Sequence, residues 1–254
     1  MYQRQGFLAN IPPAVRVILV INAAMFLFSQ LVAVMFNIDL NKILGLYFFK
    51  SDLFKPFQVV THMFMHGGLM HIFFNMYALW MFGQVLERVW GTKRFFIYYF
   101  VTGFGAVVLH SFVEYLRFLS ISSALSPEAV EMVKHQGAEI IASYKNYTNP
   151  NLAQLNLLYH IPTVGASGAV FGLLLAFGML FPNTELYIMF IPVPVKAKYF
   201  VIGYGILELF SGLNNSPNDN VAHFAHLGGM LFGFILIKLW QKKKNSGGGF
   251  LSQY

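Results

Sequence analysis

Six runs of mostly apolar residues, near 15–36, 66–86, 95–116, 162–181, 199–213 and 221–240, limit what this chain can fold into. A helix needs about 20 such residues to cross the hydrocarbon of a bilayer. Inside lipid the backbone N–H and C=O groups find no water, so each run must close its own ladder as a helix. Composition agrees, since 57% of the 254 residues are hydrophobic and only 11% are charged. A soluble domain carries about 25% charged residues. The expected architecture is an all-α membrane protein with six spans over residues 15–240, between a segment 1–14 and a flexible basic tail 241–254. The fifth run is short, and LYIMFIPVPV before it is expected to lie in the interface and extend its reach. The first 36 residues start basic, but their apolar stretch is long for a signal peptide and no small-residue cleavage site follows. They are expected to stay as the first span.

Six spans put both termini on one side of the membrane, and the charges choose the side. Arg4, Arg16, Arg88, Lys93, Arg94, Lys196, Lys198, Lys238 and Lys242 to Lys244 fall with the termini. The opposite loops hold Lys42, Lys50, Lys55, Arg117, Lys134 and Lys145, offset by Asp39, Asp52, Glu114, Glu128, Glu131, Glu139 and Asp219. The positive-inside bias then places both termini in the cytoplasm, and the compactness of the chain suggests a bacterial inner membrane. The formal charge of +7 does not suggest nucleic acid, because the basic residues border the spans. The outside loops 37–65 and 117–160 are long. The first keeps many aromatics and is expected to lie partly in the interface. In the second, Ser126 before Pro127 predicts the start of a short surface helix. Asn146-Tyr147-Thr148 matches a glycosylation sequon. There is no cysteine, which excludes disulfides, thiolate catalysis and Cys-ligated zinc.

Polar groups within spans are costly and each asks for a reason. Spans two, four and six all enter from outside. On them, Ser167, His226, and His71 with Asn75 lie at matching depth, roughly 8–10 Å below the outer boundary. Gly168 and Gly172 follow the serine as a GxxxG pair, and Gly229 with Gly233 forms another after His226. Such pairs let helix backbones approach closely, so a hydroxyl on span four could meet an imidazole on span six. A serine needs such a base to become a nucleophile. Near a helix N-terminus it also sits beside free backbone N–H groups. His71 and Asn75, four apart on one face, could add donors for an oxyanion.

GASG around Ser167, AHLGG around His226 and HMFMHGGLMHIFFN ending at Asn75 together resemble the signature of rhomboid intramembrane serine proteases. ERVWG at Glu87 to Gly91 resembles the family's segment after its second core span. The resemblance covers nearly all of residues 15–240. It implies Ser167 as nucleophile and His226 as base, a dyad without a buried Asp. It implies that the Ser167 N–H, His71 and Asn75 hold the oxyanion. Gly165 would leave room for the scissile carbonyl, and Phe171, often tyrosine in the family, would stack on the catalytic histidine. No cofactor and no metal are implied. The partners would be the bilayer and single-span membrane proteins, cleaved near the outer face.

Plainer readings stand beside these. Ser167 could serve helix packing, and His71 and Asn75 could simply bridge spans. His62 and His66 are expected to fix loop backbone, and His223 to be structural or to line the rim. Glu208, an intramembrane carboxylate near the outer end of span five, could be functional, but such a residue is more often a hydrated or hydrogen-bonded structural one. A metal site among His62, His66, His71, His223 and His226 finds no HExxH and no nearby carboxylate in the sequence. A transporter would spread polar residues through the bilayer, whereas here they stay in the outer half. A catalytically silent rhomboid-like protein that binds membrane clients is the alternative from another class.

Overall fold

The computed structural model describes residues 10–187, 193–214 and 221–246, with side chains as far as 242. Arg4, Asp219, the centre of the 186–195 segment and the end of the tail lie outside the described residues. Four described helices are long and apolar enough to cross a membrane by length and composition: Pro13–Phe36, Leu69–Trp90, Thr92–Ser122 and His223–Lys242. The protein has the character of a helical membrane protein.

The first of these is α1 (Pro13–Phe36), which starts with proline at its first turn and ends at Asn37 in the left-handed conformation. Proline suits a helix start because its missing N–H would have no partner there. After α1, the short helices α2 (Leu40–Leu44) and α3 (Gln58–Thr61) lead through one 3-10 turn, His62–Phe64, to the second rod. That rod is α4 (Leu69–Ala78), a π-helical turn (Leu79–Gly83) and α5 (Gln84–Trp90). It begins three residues later than the 66–86 run suggests, so His66 stands outside the helix.

Glu87 on α5 fixes α1. Its carboxylate accepts the Ala14 and Val15 N–H groups, each at 2.9 Å, and the Thr92 hydroxyl at 2.8 Å. A negative group at a helix N-terminus satisfies unpaired donors and opposes the positive end of the dipole. Glu87 is 2% exposed, so water cannot replace it. Glu87→Ala is expected to destabilise the fold by about 3 kcal/mol. Unfolding of the purified variant in detergent, followed by circular dichroism, measures that loss.

Helix α9 (Ser167–Leu180) occupies the centre, with nine of its 14 residues buried. It packs between α6 (Thr92–Ser122) and α11 (His223–Ser246). Glycine sets these distances. A methyl added at Gly229 would overlap the Gly168 backbone, and one at Gly168 would overlap Ala106. The second members of the two GxxxG pairs act elsewhere: Gly172 packs on Thr102 and Gly233 on Tyr98, both on α6. The pairs therefore lock three helices together, where the sequence suggested two. Helix α10 (Ala197–Asn214) follows a two-residue antiparallel ribbon, β1 (Glu185–Leu186) paired with β2 (Val195–Lys196). It exposes an apolar row of Ile202, Ile206, Phe210 and Leu213, as a lipid-facing helix would.

The 117–160 loop is mostly helical. α6 runs on to Ser122, followed by α7 (Pro127–Ala142) and α8 (Pro150–His160). Ser126 Oγ accepts the Ala129 N–H at 3.3 Å, and Asn149 Oδ1 accepts those of Asn151 and Leu152 at 2.9 and 3.2 Å. Phe48 from the first long loop is buried with Val133, Leu155 and Tyr159 in a separate small core. Ser51 Oγ donates to the Tyr159 carbonyl at 2.7 Å. This part of loop 37–65 thus docks on the 117–160 insert, because Phe48 finds an apolar socket there.

Candidate active site

An extended segment delivers Ser167 to the centre of the bundle. Leu46 and Thr163 exchange two backbone hydrogen bonds of 2.8 Å, and the Gly165 N–H donates to the His62 carbonyl at 2.9 Å. His62 in turn faces the Gln58 carbonyl through Nδ1 at 2.8 Å. Burial pushes the His62 imidazole down to about 4, so the ring is neutral at physiological pH. Gly165 has φ of 128°, a conformation that L side chains rarely adopt. A methyl there would also come within 2.8 Å of His71 Nε2. Ser167 then opens α9, so its own N–H belongs to the first turn, where helices leave donors free.

The second group comes from α11. His226 Nε2 lies 2.8 Å from Ser167 Oγ. Phe171, one turn along α9, stacks on the His226 ring at 4.1 Å with planes 7° apart. The other ring nitrogen, Nδ1, lies 2.9 Å from Glu208 Oε2 on α10. His223 Nδ1 meets the same oxygen at 2.6 Å. A carboxylate accepts only, so the Nδ1–H of His226 points to Glu208 and leaves Nε2 free to accept the serine proton.

His71 lines the opposite wall. Its Nδ1 accepts the Gly67 N–H at 3.4 Å, which leaves the proton of a neutral ring on Nε2, the nitrogen beside Gly165. Asn75 Nδ2 donates one hydrogen to the His71 carbonyl at 3.1 Å and keeps a second. His66 is buried edge-on behind His71, with ring centres 5.1 Å apart. Ser167, His226, His71 and Asn75 all border one cleft of about 1590 Å³, which reaches from the insert down between α4 and α10.

The sequence suggested a dyad without a buried Asp, and left Glu208 as a carboxylate that could be functional but is more often hydrated or hydrogen-bonded. The fold puts Glu208, 7% exposed, against His226. The case against a metal also leaned on a missing carboxylate, and Glu208 supplies one. Among the described residues, the ligand atoms of Glu208, His223 and His226 lie within 4.8 Å of one another. One oxygen facing two Nδ1 atoms at 2.6 and 2.9 Å is hydrogen-bond geometry, in which the protons occupy the space between.

Sequence reasoning missed His110. Its Nε2 lies 3.0 Å from Thr163 Oγ1 and 3.1 Å from Glu114 Oε1, tying α6 to the strand that carries Ser167. The signal was present as a histidine and a glutamate four apart in an apolar run.

The family model of the Rhomboid domain matches residues 54–243. This chain belongs to the rhomboid family. It is 30% identical over 214 residues to RHOMBOID-like protein 12, mitochondrial, of Arabidopsis thaliana, covering 84% of this chain and 54% of that protein. Rhomboid protein 1, mitochondrial, of Saccharomyces cerevisiae is 25% identical over 197 residues, or 77% of this chain and 46% of its own length. A Bacillus subtilis protein named "Putative rhomboid protease YdcA" is 26% identical over 189 residues, 74% of this rhomboid and 68% of YdcA. This rhomboid spans about half the length of the first two relatives.

Proposed function

We propose that this rhomboid is an intramembrane serine endopeptidase with Ser167 as nucleophile and His226 as base. The observation that carries the reading is the 2.8 Å contact between Ser167 Oγ and His226 Nε2 at the N-terminus of a central helix, open to a large cleft. In this reading α9 and α10 join the four long helices as spans, giving six, and the basic residues put both termini in the cytoplasm. Two of the relatives carry mitochondrial names and a third comes from Bacillus subtilis, so the bacterial inner membrane is one of several candidate locations.

The substrate is a single-span membrane protein that enters the cleft between α4 and α10 near the outer face. Ser167 Oγ attacks the scissile carbonyl while its proton moves to His226 Nε2. The Ser167 N–H, His71 Nε2–H and Asn75 hold the oxyanion, and Gly165 leaves the carbonyl room to approach. Each donor of this kind contributes about 3 kcal/mol to such reactions. The amine leaves with the proton from His226, and water releases the acyl-enzyme by the same route in reverse.

The test uses purified protein in proteoliposomes with a panel of single-span reporters. Cleavage that ignores a chelator, with labelling of the protein by a serine-directed fluorophosphonate, supports the reading. A folded protein that binds reporters without cutting or labelling would instead make this chain a client-binding member.

A further inference from the structure

The resemblance implies two residues for proton transfer, and the fold places a carboxylate beside one of them. We propose that Glu208 is a positioning residue for the reaction, holding His226 in its working tautomer and stabilising the imidazolium formed during attack. The inference rests on the serine-protease reading above. Three observations carry it.

First, Glu208 meets the nitrogen that matters. Its Oε2 lies 2.9 Å from His226 Nδ1, while Nε2 of the same ring lies 2.8 Å from Ser167 Oγ. The imidazole lies between hydroxyl and carboxylate, one ring nitrogen to each, so the carboxylate dictates which nitrogen is left to accept. Second, Glu208 is itself held in place. His223 Nδ1 reaches the same oxygen at 2.6 Å from one turn earlier on α11, which restrains the carboxylate between two rings. Third, the ring has few other ways to move. Phe171 covers one face of His226 at 4.1 Å, and Glu208 and His226 are each 7% exposed. In such a place a charge that appears in the transition state meets little water, and a fixed counter-charge has a large effect.

The balance of the step is simple. As the Oγ–C bond forms, the Oγ–H proton passes to His226 Nε2 and the carbonyl π pair moves onto oxygen. His226 then carries a positive charge with Nδ1–H still bonded to Glu208, which stays a carboxylate throughout. When the C–N bond breaks, the Nε2 proton leaves with the amine and His226 returns to neutral. Glu208 never takes a proton.

A purely structural Glu208 would bridge α10 to α11 and nothing more. Glu208→Gln separates the two roles, since the amide oxygen can still accept from Nδ1 but brings no charge. The experiment measures kcat and KM of reporter cleavage in proteoliposomes, scored per active molecule by exhaustive fluorophosphonate titration, with unfolding followed in parallel. The expected result is a kcat lowered about 10²- to 10⁴-fold with KM little changed. A kcat within about threefold of wild type, or activity lost only in step with folded protein, overturns the proposal. If Glu208→Gln does not fold, Glu208→Asp carries the test. There a lower kcat at unchanged KM supports the role, and a wild-type kcat overturns it. A wild type that neither cuts nor labels sinks the protease reading first, and this role with it.

Discussion

Ser167→Ala and His226→Ala are each expected to lower the rate of reporter cleavage by at least about 10³-fold, and the double variant to lose no more than either alone. Without Oγ there is no acyl-enzyme, and the remaining route is attack by water in a site that still binds and polarises the carbonyl. Without the imidazole, Oγ keeps its proton and is a poor nucleophile at neutral pH. The two groups act as one unit through a 2.8 Å contact, which is why their losses should not add. Both variants should fold. Alanine at 167 removes one oxygen from the mouth of the cleft, and alanine at 226 leaves Glu208 bonded to His223. Rates in proteoliposomes, with unfolding of each variant as control, measure this. A Ser167→Ala protein that still cuts would make the serine a packing residue and end the mechanism.

The second large effect is expected at Gly229, a position with no polar atom in its side chain. Gly229→Val should destabilise the bundle by about 3 kcal/mol or more and abolish cleavage. What a side chain would strike there is the Gly168 carbonyl, part of a helix backbone that has no rotamer to change. The helices α9 and α11 would have to part, and their separation is what sets Oγ against Nε2. Gly203 on α10 offers the control, because a methyl there meets nothing within 4 Å. Gly203→Ala should leave the bundle as stable as wild type or up to about 1 kcal/mol more so, since alanine is the better helix former. Thermal unfolding in detergent and reporter cleavage together read both variants. If Gly229→Val folds and cuts like wild type, close approach of the two helices does not govern the site.

Much of the frame was readable because lipid makes hydropathy decisive. The runs at 15–36, 95–116 and 221–240 coincide within a few residues with helices Pro13–Phe36, Thr92–Ser122 and His223–Lys242. Ser167, His226, His71 and Asn75 were singled out because polar side chains in apolar runs are rare. The sequence put Ser167 about six residues into its span but near its helix N-terminus, and the helix begins at Ser167 itself. The contact of Glu208 with His226 was not legible. Its partner is 18 residues further along the chain, on the next helix, and no local pattern fixes the rotation of α10 against α11. Helix α8 was missed for a lesser reason, since Asn149 before Pro150 carries the same start signal as Ser126 before Pro127.

The length of α6 bears on what can approach this protein at all. Its first turn carries Lys93 and Arg94, and its next acidic residue is Glu114, a spacing of about 30 Å, close to the thickness of a bilayer's hydrocarbon. The helix then continues from Glu114 to Ser122, a further 12 Å or so, before turning into α7. The insert is therefore carried on a stiff post, with Glu114, Arg117 and Ile121 of that post beside the cleft. Under the protease reading proposed above, a bulky globular head on a client could not sit flush with the lipid there. It would have to hang from a tether of about four extended residues above its membrane helix before clearing the post. Tether length would then act as a sieve, sorting clients by the spacing of their outer domains before any chemistry begins.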